Sequence, residues 1–515
     1  MIDTTALREK VLDLAIRGKL VPQDPNDEPA SVLLERIREQ KKQMVKEGKL
    51  KAKDIKDDSI IYKEDNCYYE KFNDGTIKNI QKNIPFELPL GWSWERLGNV
   101  CSIARGGSPR PIEEYLTTDP NGINWIKIGD TEKDGKYILK TKEKILPTGL
   151  YKSRYVKSGD FLLTNSMSFG RPYILKTDGC IHDGWLVIGE TDKVFYQDFL
   201  YYMLSSTFMY KSMSGLAAGS TVKNLKSESV KSLLIPIPSI NEQKRISNKL
   251  EECIKLLDII NISKQEIIKI KDSIKERILC LAIQGKLVEQ DPNDEPASIL
   301  LEKIREKRKT ILGKKFVDSY IYKADDNCYY EKVGEKTVNI TRFIPYNIPQ
   351  NWAWSRLENV ADIVTGATPN KNNQLYYGGN FPFYKPNDLE QNRHVLISSE
   401  KLSQEGINIV RKIPANSIGV CCIGSIGKCG FFEKEGATNQ QINTIIPYID
   451  NVFMYYICSS NLFKNQLLEK ASATTIAIVN KNKMLSIFVA IPPINEQRQI
   501  ANLIEKIFVL LKDES

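Results

Sequence analysis

Two short polar segments carry side chains that could perform chemistry or recognise a base. His182-Asp183 places an imidazole beside a carboxylate, two groups that commonly act as general acid and base. At the corresponding place in the second half of the chain, Asn439-Gln440-Gln441 offers amides, which can pair bidentately with an adenine edge. An acid–base pair in one half alone is harder to explain than a polar surface or hydrogen-bonding role. The amides could instead satisfy backbone groups at the end of a strand.

Other kinds of reaction chemistry lack their usual residues. Segment 424–428 (GSIGK) has the end of a phosphate-binding loop, but Cys422 stands where that motif needs glycine and Cys429 where it needs Ser or Thr. We interpret the glycines of 424–428 and of 168–171 as turns that present a basic side chain. No dinucleotide-binding glycine motif follows a plausible strand, and no Asn-Pro-Pro-aromatic tetrapeptide occurs. We therefore expect no cofactor in this chain.

Composition limits the class of protein. The chain has 515 residues, 41% hydrophobic and 27% charged, which is enough to form several domains with buried cores. Its formal charge of +9 permits a polyanionic partner. Ten cysteines without a C-x-x-C pair, and only two histidines, argue against a zinc site or a disulfide framework. Because the chain lacks an apolar leader and any run of about 18 apolar residues, we expect a cytoplasmic protein without a membrane partner.

An internal duplication organises the chain. Residues 7–42 match residues 274–309 at 25 of 36 positions. Looser matches follow: Trp92 with Trp352 in W-x-W-x-R-L, and Asn241 with Asn495 at N-E-Q. Between these repeated frames lie two less similar segments, roughly 88–237 and 348–492, whose polar and glycine positions still correspond. Their short apolar runs predict strands and helices, so we expect two α+β domains of one fold with diverged surfaces.

A heptad pattern predicts one long helix over residues 241–288. Apolar side chains recur every seven residues at Ile246, Cys253, Ile260, Ile267, Ile274 and Leu281, and such a seam needs a partner helix. The second copy of this helix starts at Asn495 and stops halfway, at Ser515, and its missing end corresponds to residues 7–14. We therefore interpret the chain as a circularly permuted tandem repeat, in which the C-terminal and N-terminal helices together form the second long helix.

The predicted fold class is α+β, with two globular domains separated by two long antiparallel helices that form a coiled coil with pseudo-two-fold symmetry. The expected segments are an N-terminal helix with a helical and hairpin arm (1–87), the first globular domain (88–237), the central long helix (238–288), a second arm (289–347), the second globular domain (348–492) and a C-terminal helix (493–515) that pairs with the N-terminal one.

Together, these features resemble the specificity subunit of type I restriction-modification enzymes. The segments LAIRGKLVPQDPNDEPAS and LAIQGKLVEQDPNDEPAS, the two N-E-Q helix starts, the W-x-W-x-R-L entries and the permutation carry the resemblance over essentially the whole chain. It implies two target-recognition domains that each recognise one half of a bipartite double-stranded DNA site, with the long helices as a spacer. It also implies two modification (methyltransferase) subunits and restriction (motor-nuclease) subunits as partners, with S-adenosylmethionine and ATP on those partners and no catalysis in this chain.

The resemblance also places DNA contacts on loops and strands that face the major groove. The candidates in the first domain are Arg105, Ser108, Arg110, Lys127, Asp130, Lys140, Lys142, Ser166, Ser168, Arg171, Thr221 and Lys223. Those in the second domain are Thr368, Asn370, Lys371, Lys385, Asn387, Ser425, Lys428, Asn439, Gln440 and Thr475. A run of basic residues between Lys133 and Lys157 could add phosphate contacts. Because the repeated frames are nearly identical and the domains are not, we expect an asymmetric DNA site.

Two alternative functions remain open at this point. A self-contained DNA-modifying enzyme would need a cofactor pocket, for which the sequence offers no motif. A coiled-coil scaffold with peptide-binding domains would bind its partners without the steep salt dependence that several phosphate contacts produce.

Overall fold

The computed structural model describes residues 2–51, 55–56, 58–132, 135–165, 169–216, 224–390, 393–472 and 477–512. The chain divides into two compact units, Ile2–Lys264 and Gln265–Ser515, called here the N-terminal and C-terminal units. Each unit has a large hydrophobic core of its own. Among the described helices, none is both long enough and apolar enough to cross a membrane.

The N-terminal unit begins with a helix and an arm, continues with a globular α+β domain and ends in a long helix. Its helices are α1 (Thr4–Ile16), α2 (Ala30–Lys46), α3 (Leu97–Val100), α4 (Gln197–Leu204), α5 (Thr207–Leu216), α6 (Ser227–Lys231) and α7 (Ile240–Ile283), whose last part belongs to the C-terminal unit. Its strands are β1 (Ser59–Glu64), β2 (Cys67–Phe72), β3 (Ile77–Asn79), β4 (Ser93–Arg96), β5 (Ser102–Arg105), β6 (Leu116–Thr117), β7 (Ile123–Ile126), β8 (Tyr137–Ile138), β9 (Glu143–Ile145), β10 (Arg154–Val156), β11 (Phe161–Thr164), β12 (Pro172–Leu175), β13 (Gly179–Ile181), β14 (Trp185–Gly189) and β15 (Leu234–Ile237).

The C-terminal unit repeats this order of arm, globular domain and terminal helix. Its further helices are α8 (Ala297–Leu312), α9 (Leu357–Val360), α10 (Gln404–Asn408), α11 (Asn451–Ser459), α12 (Asn461–Lys470), α13 (Lys481–Leu485) and α14 (Ile494–Leu511). Its strands are β16 (Ser319–Lys323), β17 (Tyr329–Val333), β18 (Lys336–Asn339), β19 (Ala353–Arg356), β20 (Ala361–Thr365), β21 (Tyr377–Tyr384), β22 (His394–Val395), β23 (Glu400–Leu402), β24 (Ser417–Cys421), β25 (Cys429–Phe432), β26 (Ala437–Thr438), β27 (Ile442–Pro447) and β28 (Phe488–Ile491).

The two globular domains share one sheet topology. In the N-terminal unit, two five-stranded sheets have the orders β10-β13-β7-β9-β6 and β5-β14-β11-β12-β8. In the C-terminal unit, β20-β27-β24-β25-β22 repeats the second order, and β23-β21-β26 repeats the central part of the first. The directions agree as well, since β13 runs parallel to β7 and β26 runs parallel to β21. This confirms the predicted α+β class and the prediction of two domains of one fold.

The repeated sequence motifs meet in a buried polar contact in each unit. In the N-terminal unit, Trp92 Nε1 donates to Glu242 Oε2 at 2.9 Å, and Gln23 Nε2 donates to Glu242 Oε1 at 3.0 Å. In the C-terminal unit, Trp352 Nε1 donates to Glu496 Oε2 at 3.0 Å. Burial raises the pKa of both glutamates. The tryptophan and N-E-Q motifs, far apart in sequence, thus anchor each globular domain to the helix that follows it, α7 or α14.

The N-terminal helix runs antiparallel to the first part of α7. Thr4 Oγ1, at the start of α1, donates to Asn261 Oδ1 at 2.5 Å, whereas Ala15, near its end, lies in one core with Ile246. In the C-terminal unit, the last part of α7 shares a core with α14. The joint second helix, built from α14 and α1, combines elements of both units and stays a prediction.

The long helix ends earlier than its sequence predicts. Its last residue is Ile283, because Gly285 adopts a φ of +69° and the N–H of Lys286 donates to the carbonyl of Leu281 at 2.9 Å. Because the apolar pattern continues through Val288, the sequence predicts a helix that is longer than the observed one.

The predicted heptad seam is buried at its start and exposed in its middle. Ile246 and Leu250 are 0% and 1% exposed, whereas Ile267 and Ile274 are 51% and 40% exposed. The contacts of the described residues therefore cover the start of the seam and leave apolar side chains of its middle at the surface.

Candidate nucleic-acid interface

In the N-terminal unit, the loop after β5 lies against the turn between β13 and β14. The N–H of Gly106 donates to Trp185 O at 2.9 Å, and that of Gly107 donates to Ile181 O at 3.1 Å. A Cβ on Gly106 would lie 2.1 Å from the carbonyl oxygen of His182, so this position requires glycine. The close approach of the two backbones brings the side chains of the loop to those of the turn.

Asp183 is the centre of this contact. Ser108 Oγ donates to Asp183 Oδ1 at 2.9 Å, and Arg110 Nη2 lies 3.3 Å from Asp183 Oδ2. Arg105 Nε donates to the backbone carbonyl of Asp183 at 3.0 Å. The hydrogen bond from Ser108 lowers the pKa of Asp183, so this side chain is a carboxylate at neutral pH. Its side chain is 42% exposed and that of Arg110 is 80% exposed, which leaves both accessible from solvent.

His182 is a structural residue of the same turn. Gly184 N–H donates to its Nδ1 at 2.8 Å, and its ring lies 6.4 Å from that of Trp125 and 6.2 Å from that of Trp185, measured between centroids. Burial lowers the pKa of His182. A neutral imidazole that holds a turn fits the hydrogen-bonding role and does not favour the acid–base hypothesis.

Lys127 and Asp130 belong to a second turn of this surface. The carboxylate of Asp130 accepts from Lys127 N–H at 2.8 Å and from Lys142 N–H at 3.1 Å. Lys127 Nζ pairs with Glu143. Asp130 therefore shapes the turn, whereas the exposed Lys140 and Lys142 lie beside it. A cavity of about 530 Å³ opens between this turn and Asp183.

The C-terminal unit repeats both arrangements with different side chains. Ala367 N–H donates to Thr438 O at 2.9 Å, as Gly107 does to Ile181, and Thr368 Oγ1 donates to Gln440 Oε1. Ser108 with Asp183 thus corresponds to Thr368 with Gln440.

The second turn recurs as well. Asp388 accepts from Lys385 N–H at 2.7 Å and from Ser399 N–H at 2.8 Å, and Lys385 Nζ pairs with Glu400. The predicted correspondence of Lys127 and Asp130 with Lys385 and Asp388 is thus present in the contacts.

Not every candidate amide of the C-terminal unit faces outward. Asn439 is only 8% exposed, and its Nδ2 donates to Gln441 Oε1 at 2.9 Å, so its side chain holds the turn. Gln440, Asn370, Lys371 and Asn387 are exposed. The alternative in which the amide bonds groups of its own turn therefore fits Asn439. Gln440 is the exposed amide of this turn that could pair with a base edge.

Glycine turns are found at both predicted places, although the basic residues Arg171 and Lys428 that follow the glycines are half-buried. Gly170 and Gly427 have φ values of +71° and +85°. Thr164 N–H donates to Arg171 O at 3.1 Å, and Cys421 N–H donates to Lys428 O at 2.8 Å, so the described residues that flank the two turns are bonded alike. Ser425 is exposed in the second turn. The candidates Ser166, Ser168, Thr221, Lys223 and Thr475 lie outside the described residues.

The basic run between Lys133 and Lys157 is not one continuous exposed strip. Lys136 pairs with Asp198 and has a side chain only 18% exposed. Lys152 Nζ donates to Tyr115 OH at 2.7 Å. From the sequence, Asp183 is a candidate for proton transfer and not for DNA contact, whereas the structure places its carboxylate against Ser108 and Arg110. Its correspondence with Gln440 was the available signal.

Comparison with known proteins identifies the family of the chain. A family model described as the type I restriction modification DNA specificity domain matches residues 89–269 and 349–512, more than half of the chain. The chain belongs to this family. It is a DNA specificity subunit of a type I restriction-modification system, not a catalytic one.

Relatives agree over long stretches. The specificity subunit of the type I restriction enzyme EcoEI from Escherichia coli is 25% identical over 579 aligned residues, covering 98% of this chain and 88% of the relative. The EcoAI specificity subunit, also from Escherichia coli, is 27% identical over 419 residues, covering 70% of this chain and 63% of the relative. A solved chain from a study of complex assembly and conformational transition of the type I R-M system has a TM-score of 0.55 at 17% identity, covering 83% of this chain and 92% of that one, which supports the fold.

Proposed function

We propose that the chain recognises an asymmetric, bipartite double-stranded DNA site, with one half-site contacted by each globular domain. The observation that carries this proposal is the repeated loop contact. Ser108 with Asp183 and Thr368 with Gln440 occupy the same place in the same topology, yet one pair ends in a carboxylate and the other in an amide. Equivalent placement suits equivalent docking on DNA, and different groups suit different base edges.

The exposed candidates divide by chemistry into two groups. Lys140, Lys142 and Lys371 are suited to phosphates, which supply affinity without sequence information. Lys428 is half-buried and carries the same charge in its glycine turn. Arg110, Asn370, Asn387, Ser425 and Gln440 can donate to or accept from base edges. Asp130, Lys127 and their counterparts Asp388 and Lys385 position these side chains through the two turns.

Assembly with other subunits forms part of the proposal. Two modification subunits and the restriction subunits would dock on the repeated frames, because each frame offers the same surface to the same kind of partner. S-adenosylmethionine and ATP would bind to those partners, in the cytoplasm. The length of α7, 44 residues or roughly 66 Å, would determine the spacer between the half-sites.

Domain exchange tests the proposal directly. Replacement of residues 88–237 by the corresponding domain of another family member should change one half of the methylated site and leave the other half and the spacer as they were. The matched exchange of residues 348–492 should change only the opposite half. A change in both halves from either exchange would contradict recognition by separate domains.

A further inference from the structure

The side chains at the corresponding positions Asp183 and Gln440 differ in their hydrogen-bond donors and acceptors. Donor and acceptor patterns also distinguish the edges of the bases. A carboxylate only accepts hydrogen bonds, whereas a carboxamide both accepts and donates. In the major groove, cytosine presents the N4 amino donor alone, and adenine presents the N6 donor beside the N7 acceptor. An acceptor-only side chain therefore suits cytosine, and an amide suits adenine.

The hydrogen-bonding positions that the two side chains leave unused agree with this assignment. Among the described residues, Asp183 Oδ1 accepts from Ser108 at 2.9 Å and lies 3.7 Å from His182 Nδ1. Asp183 Oδ2 lies 3.3 Å from Arg110 Nη2. Because a carboxylate has about four acceptor sites, Asp183 can accept further hydrogen bonds. Gln440 uses Oε1 to accept from Thr368, and its Nε2 has no protein partner among the described residues. A hydroxyl orients each side chain, that of Ser108 for Asp183 and that of Thr368 for Gln440. The Asp183 side chain is partly exposed and Gln440 is exposed.

The residues beside them strengthen the contrast. Arg110 lies next to Asp183, and an exposed guanidinium pairs best with O6 and N7 of guanine. The corresponding residue in the C-terminal unit is Asn370, which has no charge and is exposed. Arg110 offsets part of the charge of Asp183, and phosphates repel the carboxylate. A base amino group is therefore the DNA contact that suits Asp183. Arg110 with Asp183 therefore complements a C·G pair, and Gln440 complements an A·T pair.

We propose that Asp183, with Arg110, selects a C·G pair in the half-site of the first domain, and that Gln440 selects an A·T pair at the equivalent place of the other half-site. This inference rests on the proposed recognition of DNA by the two domains. It adds the chemical identity of one base pair in each half.

Two isosteric substitutions test it. Asp183→Asn keeps an oxygen for Ser108 and adds a donor, and Gln440→Glu keeps an oxygen for Thr368 and removes the donor. The full chain, co-purified with the modification subunits of its own genome, is used to select from duplexes with randomised half-sites. The wild type should enrich a site with cytosine in one half and adenine in the other, each favoured by about tenfold or more.

The variants should change one position each. Asp183→Asn should shift the cytosine position towards adenine, and Gln440→Glu should shift the adenine position towards cytosine, with the other half-site unchanged. Asp192→Asn is the matched control, because this exposed aspartate lies beyond the opposite end of β14 and should alter nothing.

The outcomes separate the two levels of the argument. A wild-type complex that enriches no bipartite sequence would overturn the proposed function, and this inference with it. If the wild type enriches a clear bipartite site and both variants keep the wild-type base preferences, the inference alone would be overturned. Uniform weakening of all sequences by Asp183→Asn would show that Asp183 only supports the loop, and would also overturn it.

Discussion

The indole nitrogen of Trp92 donates a buried 2.9 Å hydrogen bond to the carboxylate of Glu242 on α7. Trp352 makes the same bond to Glu496 at 3.0 Å in the C-terminal unit. A buried carboxylate is stable only if its oxygens are paired, so this contact ties the fold of each globular domain to the position of its helix. If each globular domain recognises one half-site, as proposed, this contact would keep the domain in a fixed orientation on its helix.

Trp92→Phe should reduce the free energy of unfolding by about 1–3 kcal/mol beyond the loss of packing, because it leaves Glu242 with one partner fewer. Trp94→Phe is the matched control. Trp94 is 1% exposed, and its Nε1 has no hydrogen-bond partner among the described residues. Urea unfolding followed by circular dichroism compares the two variants. Equal midpoints for both would show that the indole hydrogen bond contributes nothing.

Acid should destabilise the N-terminal unit through His182. Burial lowers the pKa of this imidazole, so below about pH 6.5 the unfolded chain binds a proton that the folded one does not. The free energy of unfolding contributed by His182 therefore falls as the pH falls through that range, and it is constant above it. His182→Asn introduces the residue that stands at 439 and should remove this contribution.

The measurement is the melting temperature of wild type and variant across this pH range. The difference between them should change on acidification, with the wild type losing more stability. His394→Asn removes the exposed histidine of the C-terminal unit. In this variant, the loss of melting temperature that His182 causes on acidification should be the same as in the wild type. Parallel curves for wild type and His182→Asn would contradict the assignment of His182 as a buried, neutral residue of the turn.

Sequence patterns predicted the features that local spacing determines. The helical span of α7, the glycine turns at Gly170 and Gly427 and the duplication are all visible as periodic or repeated residues, and the structure has them. The coiled coil that the heptads of α7 predict stays a prediction. The sequence pattern does not predict the end of α7, although Gly285 is a typical helix stop, because the apolar residues after this glycine continue the pattern.

Roles that depend on distant partners could not be predicted. Asp130 closes its turn through the backbone of Lys142, and Lys136 is withdrawn from the surface by Asp198, 62 residues away. A charged residue in a loop has the same appearance in the sequence whether it faces DNA or a neighbour in the fold. The sequence therefore predicts which residues lie on loops, but it overestimates how many of their side chains are exposed.

Phosphate contact by the exposed Lys140 predicts a specific salt effect. Lys140→Gln should weaken binding to all DNA sequences by a similar factor, because a phosphate contact carries no base information. It should also make the slope of log K against log salt less negative by about 0.9. Filter binding or fluorescence anisotropy with the assembled complex at several salt concentrations measures both effects.

The matched control is Lys193→Gln, since Lys193 is exposed but pairs with Glu190 beyond the opposite end of β14. Its slope should equal that of the wild type. If Lys140→Gln leaves the slope unchanged, or changes the preferred sequence, Lys140 is not a phosphate contact.

The length of α7 should set the spacing of the two half-sites. Insertion of seven residues between Glu266 and Ile267 adds about 10 Å of helix and keeps the heptad seam nearly in register. At about 3.4 Å per base pair, the spacer of the recognised site should grow by roughly three base pairs, with both half-sites unchanged. The insertion point is suitable because Ile267 is 51% exposed, so the cores at both ends of the helix remain intact.

A two-residue insertion at the same place is the control: it rotates the following residues by about 200° and should abolish recognition without producing a longer spacer. Methylation mapping of both variants decides the matter, since an unchanged spacer after the seven-residue insertion would exclude α7 as its determinant.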